Sequence, residues 1–115
     1  MNNPIVHAEI RSSDPDATRA FFGSLFGWTY PQEGAFPGYT FVETGVPDAL
    51  YTAISPLQGD SDAVLFFIGV QDVEATLARA EELGGKIVQP AQQVPGVTFG
   101  VFADPQGQII GVAAN

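Results

Sequence analysis

The sequence predicts an α+β fold in which two βαβββ modules form a single domain. Three observations lead to this prediction. The chain has 115 residues, 45% of them hydrophobic, which is enough to bury one core. Its two halves match one another at a spacing of 58 residues. Each half also has the pattern of a strand, a helix and three short strands. We place the domain at 1–115, the first module at 4–55 and the second at 63–115.

The internal match holds one register over most of each half. Between residues 14–54 and 72–112, 11 of the 41 aligned positions are identical without a gap. Average composition would give roughly 2 or 3 identities. Chance similarity between segments rich in alanine, glycine and proline is the alternative explanation. The constant register favours an internal duplication, two copies of one supersecondary unit.

The first module begins with a strand from Val6 to Arg11, where apolar and polar residues alternate. Asp14 or Asp16 caps the helix that follows, and Gly27 ends it. Apolar residues recur along this helix at helical spacing, and they include Ala17, Ala20, Phe21 and Leu25. The three phenylalanines of the helix are predicted to lie in the core, namely Phe21, Phe22 and Phe26. Short strands are predicted at about 28–32, 39–44 and 50–55.

The second module repeats this order after a polar connection at 56–62. A short apolar strand runs from Val64 to Val70, and Asp72 caps the next helix. The predicted apolar stripe of that helix comprises Val73, Leu77, Ala80 and Leu83, and Gly84-Gly85 ends it. Strands are predicted at about 86–89, 97–103 and 108–113. A strong β-turn pattern, Asp104-Pro105-Gln106-Gly107, separates the last two.

Composition excludes several classes of protein. The net charge of −9 argues against binding to nucleic acid or to anionic membranes, because phosphates repel an acidic surface. The chain has no cysteine, so it forms neither disulfides nor thiolate metal sites. No apolar run reaches the ~18 residues of a membrane span, and the start of the chain lacks the pattern of a signal peptide. We therefore expect a cytoplasmic protein.

The two-module pattern resembles the vicinal oxygen chelate superfamily, which includes glyoxalase I, extradiol dioxygenases and bleomycin-resistance proteins. The resemblance extends from His7 to about Ala113. It rests on the segments His7-Ala8-Glu9-Ile10, Leu25-Phe26-Gly27-Trp28, Val70-Gln71-Asp72-Val73 and Phe102-Ala103-Asp104-Pro105-Gln106-Gly107. It implies curved mixed sheets around a cleft, helices outside, and a symmetric homodimer. The two modules could pair within one chain or be exchanged across the dimer.

The resemblance also implies where a metal would bind. Enzymes of the superfamily hold a divalent metal with side chains from the first and last strand of each module. Those positions correspond here to His7, Ala53, Leu65 and about Gly111. Only the histidine offers a donor atom, and it is the one histidine in the chain. A shift of one residue adds no carboxylate or imidazole. We therefore expect no metal and no other cofactor.

The same strands are expected to line a ligand-binding site. Side chains alternate along a strand, so His7 and Glu9 share one face. The predicted ligand-binding residues are His7, Glu9, Tyr51, Leu65, Phe67, Ile109 and Gly111. Trp28, Tyr30, Tyr39 and Phe41 are candidates for additional stacking surface. The alternative is that His7 and Glu9 are a polar pair satisfied within the sheet. No residue is assigned as catalytic.

The sequence is compatible with three functions. The first is a metal-free protein, similar to bleomycin-resistance proteins, that binds a small organic molecule in its cleft. Its acidic surface would favour a cationic ligand. The second is a lyase, isomerase or dioxygenase of the same superfamily. The third is a dimeric accessory domain without a small ligand. Whether the protein is an enzyme is therefore open, although the missing metal ligands count against it.

Overall fold

A computed structural model describes residues 3–34, 36–59 and 61–114 of the chain. The ends of the predicted domain 1–115 and one residue of the predicted connection 56–62 lie outside these described residues. The elements in chain order are β1 (Ile5–Ser12), α1 (Pro15–Phe26), β2 (Thr40–Phe41), β3 (Tyr51–Pro56), β4 (Ala63–Gly69), α2 (Val73–Glu82), β5 (Lys86–Val94), β6 (Val97–Ala103) and β7 (Ile109–Ala114).

The chain divides into two compact units. The N-terminal unit is His7–Val64, and the C-terminal unit combines residues 3–6 with 65–114. Both units contain one helix and a sheet with parallel and antiparallel pairs. The predicted α+β class is therefore confirmed. Neither helix of the described residues is long and apolar enough to cross a membrane.

The sheet of the N-terminal unit has the strand order β2-β3-β1. Strands β1 and β3 are parallel, and helix α1 lies between them in the sequence, as a parallel connection requires. Their register places His7 beside Tyr51 and Glu9 beside Ala53. Strand β2 pairs antiparallel with β3.

The C-terminal unit has the strand order β4-β7-β6-β5. Strands β4 and β7 are parallel, whereas β6 is antiparallel to both β7 and β5. Helix α2 packs on this sheet, since Val73 and Leu77 of the helix form a buried cluster with Val112 of β7. Strand β7 begins and ends 58 residues after β3, the spacing of the sequence match. The internal duplication itself stays a prediction.

The strands predicted at 28–32 and 39–44 are mostly absent. In this part of the described chain, Thr29 and Glu33 make isolated bridges to Glu43 and Thr40, and only Thr40–Phe41 forms a strand. Pro31 lies between the two bridging residues, and it has no N–H for a sheet hydrogen bond. The N-terminal unit has a shorter hairpin than the corresponding strands β5 and β6. Strand β6 forms as predicted, whereas β5 extends to Val94, beyond the predicted 86–89.

The predicted helix ends are confirmed. Asp14 and Asp72 each accept a hydrogen bond from the backbone N–H three residues later, at 3.1 Å and 3.0 Å. Gly27 adopts the left-handed conformation, with φ of 75°, and its N–H donates to the carbonyl of Gly23. Glycine reaches this conformation without the strain that a side chain would bring.

The buried face predicted for α1 is wrong. No residue of α1 is fully buried, and Phe21 and Phe26 are more than half exposed. Phe22 is half-buried and stacks on Trp28, with ring centroids 5.2 Å apart. The half-buried positions of the helix recur at 15, 18, 19, 22 and 23. Both stripes have helical spacing, so periodicity alone could not decide which one faces the sheet.

Candidate functional site

Strand β1 carries a buried charged pair on one face. Glu9 and Arg11 are only 3% and 2% exposed, and Arg11 Nε donates to Glu9 Oε2 at 2.6 Å. Because side chains alternate along a strand, His7 lies on the same face. Its Nε2 is 3.4 Å from Glu9 Oε1. The predicted proximity of His7 and Glu9 is therefore observed, with Arg11 as the third member.

A further partner of Glu9 comes from the loop that follows strand β3. Gln58 Nε2 lies 3.3 Å from Glu9 Oε2 and 3.0 Å from Ser55 Oγ, and it donates to both. A buried carboxylate with several donors is stabilised in its charged form. Burial by itself would raise the pKa of Glu9, but the hydrogen bond with His7 and the positive charge of Arg11 outweigh it. The pKa of Glu9 therefore lies below its ordinary value of 4.5.

Tyr39 completes the group from outside the strands. Its hydroxyl lies 3.0 Å from His7 Nε2, so one of the two groups donates to the other according to the histidine tautomer. Burial and the negative charge of Glu9 raise the pKa of the Tyr39 hydroxyl, which keeps it protonated. The ring lies against Gly34, where an added Cβ would be 2.3 Å from Tyr39 Cδ1. Glycine at this position therefore permits the ring to reach His7.

A row of aromatic rings extends from Tyr39. The rings of Tyr39 and Phe41 lie edge to face with centroids 5.6 Å apart, and Phe41 and Tyr51 follow at 6.5 Å. Phe36 packs against Tyr39 at 5.1 Å on the other side. Tyr51 is 73% exposed. The N-terminal unit thus joins a half-buried imidazole and phenol to an aromatic surface that is open to solvent.

Of the other predicted aromatic candidates, Phe41 joins this row, whereas Trp28 and Tyr30 have other partners. Trp28 belongs to the ring cluster at the end of α1. The Tyr30 hydroxyl donates to the backbone carbonyl of Arg19 at 2.9 Å. We therefore restrict the candidate site in this unit to the polar and aromatic group, which comprises His7, Glu9, Tyr39, Phe41 and Tyr51 and which we call the imidazole–phenol site.

Sequence reasoning missed how the imidazole–phenol site is held together. The sequence predicts only a stacking role for Tyr39 and places Gln58 in a polar connection. Alternation along β1 accounts for Arg11 on the face of Glu9. The hydroxyl contact of Tyr39 with His7 spans 32 positions and depends on the loop before β2. Glycine at position 34 was the one signal in the sequence of a close approach there.

The predicted site residues of the C-terminal unit are largely apolar and buried. Leu65 and Phe67 are buried in strand β4, whereas Ile109, at the start of β7, is partly exposed. Phe67 pairs with Gly111 across the parallel strands. A Cβ at Gly111 would lie 2.4 Å from two atoms of the Phe67 ring. The ring therefore occupies the space into which a side chain at position 111 would extend.

The four positions that would bind a metal do not fit one. One of these positions is His7. The other three are Ala53 and Leu65, which are buried, and Gly111, which is covered by the Phe67 ring. Alanine, leucine and glycine side chains provide no oxygen or nitrogen donor. Among residues 3–34, 36–59 and 61–114, no three His, Asp or Glu side chains come together as a metal-binding group.

A cavity of about 560 Å³ opens in the C-terminal unit beside helix α2. Its wall is formed mainly by α2, by Phe102 of β6 and by the turn at Asp104 and Pro105. None of the seven predicted ligand-binding residues lines it. The polar side chains at its edge already stabilise the fold, since Asp72 caps α2 and Asp104 accepts two backbone hydrogen bonds in its own turn.

Known proteins resemble this chain in sequence and in fold. It is 27% identical over 111 residues to "Putative glyoxylase CFP32" of Mycobacterium bovis and of Mycobacterium tuberculosis, matching 94% of this chain and 42% of those proteins. The chain thus spans less than half the length of these curated relatives. Among solved structures, the hypothetical protein BH1468 from Bacillus halodurans has a TM-score of 0.68 and 14% identity, covering 100% of this chain and 96% of that chain.

A second similar structure contains a bound ligand. A variant of the methylmalonyl-CoA epimerase of Streptomyces coelicolor, in complex with 2-nitronate-propionyl-CoA, has a TM-score of 0.65 and 17% identity. It covers 100% of this chain, and 96% of the epimerase chain is matched. At such identities these structures support the fold. Residues 4–112 match the family description "Glyoxalase/Bleomycin resistance protein/Dioxygenase superfamily", and the chain belongs to this superfamily.

Proposed function

We propose that this protein binds a small organic molecule at the imidazole–phenol site without a metal ion. The observation that carries the proposal is the 3.0 Å contact between the Tyr39 hydroxyl and His7 Nε2, near the solvent-exposed ring of Tyr51. Ligand sites combine apolar and aromatic surface with a few placed polar groups, and this group has that composition. Contributions of Leu65, Phe67, Ile109 and Gly111 to ligand binding stay a prediction from the sequence, as does a cytoplasmic location.

The buried pair of Glu9 and Arg11 supports binding more than catalysis by Glu9. A general base works best when its pKa is close to the operating pH. The pKa of Glu9 is lowered, and its oxygens already accept hydrogen bonds from Arg11 and Gln58. We therefore assign Glu9 and Arg11 the role of holding His7 in place. His7 and Tyr39 are the polar groups that we assign to contact with a ligand.

The electrostatics favour a cationic ligand with an aromatic or otherwise apolar body. The net charge of −9 attracts cations to the protein. Cations are also attracted to the faces of aromatic rings, and Phe41 and Tyr51 offer two such rings in contact. The phenol oxygen of Tyr39 can accept a hydrogen bond from an ammonium group.

Three probes that share one ring test this proposal, namely benzylammonium, benzyl alcohol and benzoate. Thermal unfolding is followed for the natural protein and for Tyr51→Ala, with Leu50→Ala as the matched control at a neighbouring exposed residue. Ligand at ~100-fold its Kd stabilises a protein by ~2.7 kcal/mol. We expect benzylammonium to raise Tm most, in the natural protein and in Leu50→Ala, and to have little effect on Tyr51→Ala.

Three results would contradict the proposal. An equal Tm increase in Tyr51→Ala and the natural protein would place binding elsewhere. Absence of an effect from any of the three probes would favour the alternative of an accessory domain without a small ligand. A Tm increase that disappears after treatment with a chelator would favour the alternative of a metal-dependent enzyme of the superfamily.

A further inference from the structure

The cavity of about 560 Å³ beside helix α2, which we call the α2 cavity, has the size and the walls of a ligand site. Proteins bind small molecules in cavities of about 300–1,000 Å³ with mainly apolar walls. Here one face of α2 supplies Ala75, Ala80 and Leu83, and strand β6 supplies Phe102. Leu83 is 63% exposed, and Phe102 is half-buried. An apolar molecule in the α2 cavity would therefore remove exposed hydrophobic surface from water.

Helix α1 shows why this space is open. At the spacing of 58 residues, Ala80 of α2 corresponds to Phe22 of α1, and both positions are half-buried. The ring of Phe22 stacks on Trp28, with centroids 5.2 Å apart. The counterpart of Trp28 is Lys86, which is exposed. The C-terminal unit thus has a methyl group and an exposed lysine where the N-terminal unit has two stacked rings. The ring of a ligand can therefore take the place that the Phe22 ring has beside α1.

Charged side chains of both signs belong to the wall of the α2 cavity. They are Arg79, Asp72 and Asp104. Both backbone hydrogen bonds of Asp104 are accepted by Oδ1, so Oδ2 can accept a hydrogen bond from a ligand. Arg79 pairs with Glu82 at 3.0 Å, and the two side chains are 65% and 66% exposed. Because exposed pairs contribute little to stability, Arg79 can exchange Glu82 for a carboxylate in the cavity at small cost.

These charges select one class of ligand. The net charge of −9 disfavours a purely anionic molecule. A purely cationic molecule would meet the guanidinium of Arg79 in the same wall. A zwitterion with one ammonium and one carboxylate group can form a charge-assisted hydrogen bond with each kind of side chain. The apolar wall formed by Ala80 and Phe102 suits a zwitterion whose body is an aromatic ring.

We propose that the α2 cavity binds an aromatic α-amino acid. The ring of the ligand lies against Phe102 and the methyl group of Ala80. Its ammonium group donates to the carboxylate of Asp104, and its carboxylate accepts from the guanidinium of Arg79. Asp72 keeps its place as the cap of α2. The α2 cavity shares no residue with the imidazole–phenol site, so this proposal and the proposed function can fail independently of one another.

Three probes that share a phenyl ring test which charges the ligand needs, namely L-phenylalanine, phenethylamine and 3-phenylpropionate. Their Kd values are measured by ¹H–¹⁵N NMR titration. We expect L-phenylalanine to bind at least about tenfold more tightly than either singly charged probe, because each of those lacks one charge-assisted contact. In Arg79→Met the advantage of L-phenylalanine over phenethylamine should disappear. Equal binding of the three probes to the natural protein, or no binding of L-phenylalanine, would overturn the proposal.

Filling the α2 cavity tests where the ligand binds. Ala80→Phe introduces the residue that α1 has at the equivalent position, and Ala78→Phe adds the same ring at an exposed residue outside the cavity wall. We expect the affinity for L-phenylalanine to fall at least about tenfold in Ala80→Phe and to stay unchanged in Ala78→Phe. Equal affinity of these two variants would overturn the proposal.

The NMR signals also separate the two sites. L-phenylalanine should shift the backbone signals of Gly85 and Phe102, which belong to the wall of the α2 cavity. Shifts confined to the imidazole of His7 would place the ligand at the imidazole–phenol site and overturn the proposal. Far-UV circular dichroism shows whether each variant is folded, and Arg79→Met keeps the proposal falsifiable if Ala80→Phe does not fold.

Discussion

Removing Arg11 should destabilise the protein far more than removing an exposed arginine. Arg11 is 2% exposed and donates to Glu9, which is 3% exposed. In Arg11→Met the carboxylate of Glu9 would stay buried without its cationic partner. Breaking a buried ion pair by removal of one member costs about 3–5 kcal/mol. We expect a loss of that order in the free energy of unfolding.

The matched control is the exposed pair of helix α2. Arg79 and Glu82 are 65% and 66% exposed and lie 3.0 Å apart. Exposed ion pairs contribute about 0–1 kcal/mol to stability, so Arg79→Met should lower the free energy of unfolding by no more than that. Urea unfolding can be followed by the fluorescence of the single tryptophan, at equal protein concentrations because association affects apparent stability.

A third variant separates lost packing from uncompensated charge. The double substitution Glu9→Gln with Arg11→Met leaves no buried charge, so it should be more stable than Arg11→Met alone. If Arg11→Met and Arg79→Met lose the same free energy, the buried pair does not have the structural role that we assign to it. If the double variant is the least stable of the three, packing and not charge explains the loss.

Three further predictions concern Glu9, Tyr39 and Gly111. Because the pKa of Glu9 is lowered from 4.5, its ionised form stabilises the fold above that pH, and this contribution is lost as the pH falls through the folded pKa. Between about pH 5 and about pH 3, the natural protein should therefore lose more stability in urea unfolding than Glu9→Gln; equal losses would contradict this. Tyr39→Phe removes the contact with His7 and should lower the free energy of unfolding by about 1 kcal/mol. The ¹⁵N shift of the imidazole should also change, and an unchanged shift would mean that the contact is absent. Gly111→Ala forces a Cβ against the Phe67 ring and should lower the free energy of unfolding by about 1–3 kcal/mol. This cost should shrink in a Phe67→Leu background, and purely additive effects would argue against the contact.

The main features of the fold could be predicted because they depend on local patterns. Helix caps, glycine at helix ends and alternation along strands are read within a few residues of the chain. The 58-residue match then assigned the same order of elements to both halves. The predicted strand at 28–32 is wrong, since Thr29 and Glu33 make only isolated bridges, whereas the corresponding β5 forms although it contains Pro90 at a shift in its pairing register.

The buried face of α1 could not be chosen from periodicity. The helix has two stripes with the same spacing, one with Phe21 and Leu25 and one with Arg19 and Phe22. Hydrophobicity favoured the first stripe, yet the structure exposes it. The internal match contained a clue, since the buried Val73 and Leu77 of α2 correspond to positions 15 and 19 of α1. Tertiary packing, and not local hydrophobicity, decides between such stripes.

The candidate site could be predicted only along its strands. Alternation placed His7 and Glu9 on one face, which is a local property of β1. The partners Tyr39 and Gln58 come from loops, where no regular spacing relates sequence to position. Contacts of this kind depend on the path of the chain between elements, and a single sequence does not encode that path in a periodic pattern.

The signal of the single histidine tests the central claim most directly. The chain contains one histidine, so the imidazole ¹H–¹⁵N correlations belong to His7 without further assignment. The protein is first treated with a chelator, and benzylammonium is then added to the natural protein and to Tyr51→Ala. We expect saturable shifts of the His7 signals in the natural protein and much weaker binding in Tyr51→Ala. Shifts that require added divalent metal, or that are unaffected by Tyr51→Ala, would contradict metal-free binding at the imidazole–phenol site.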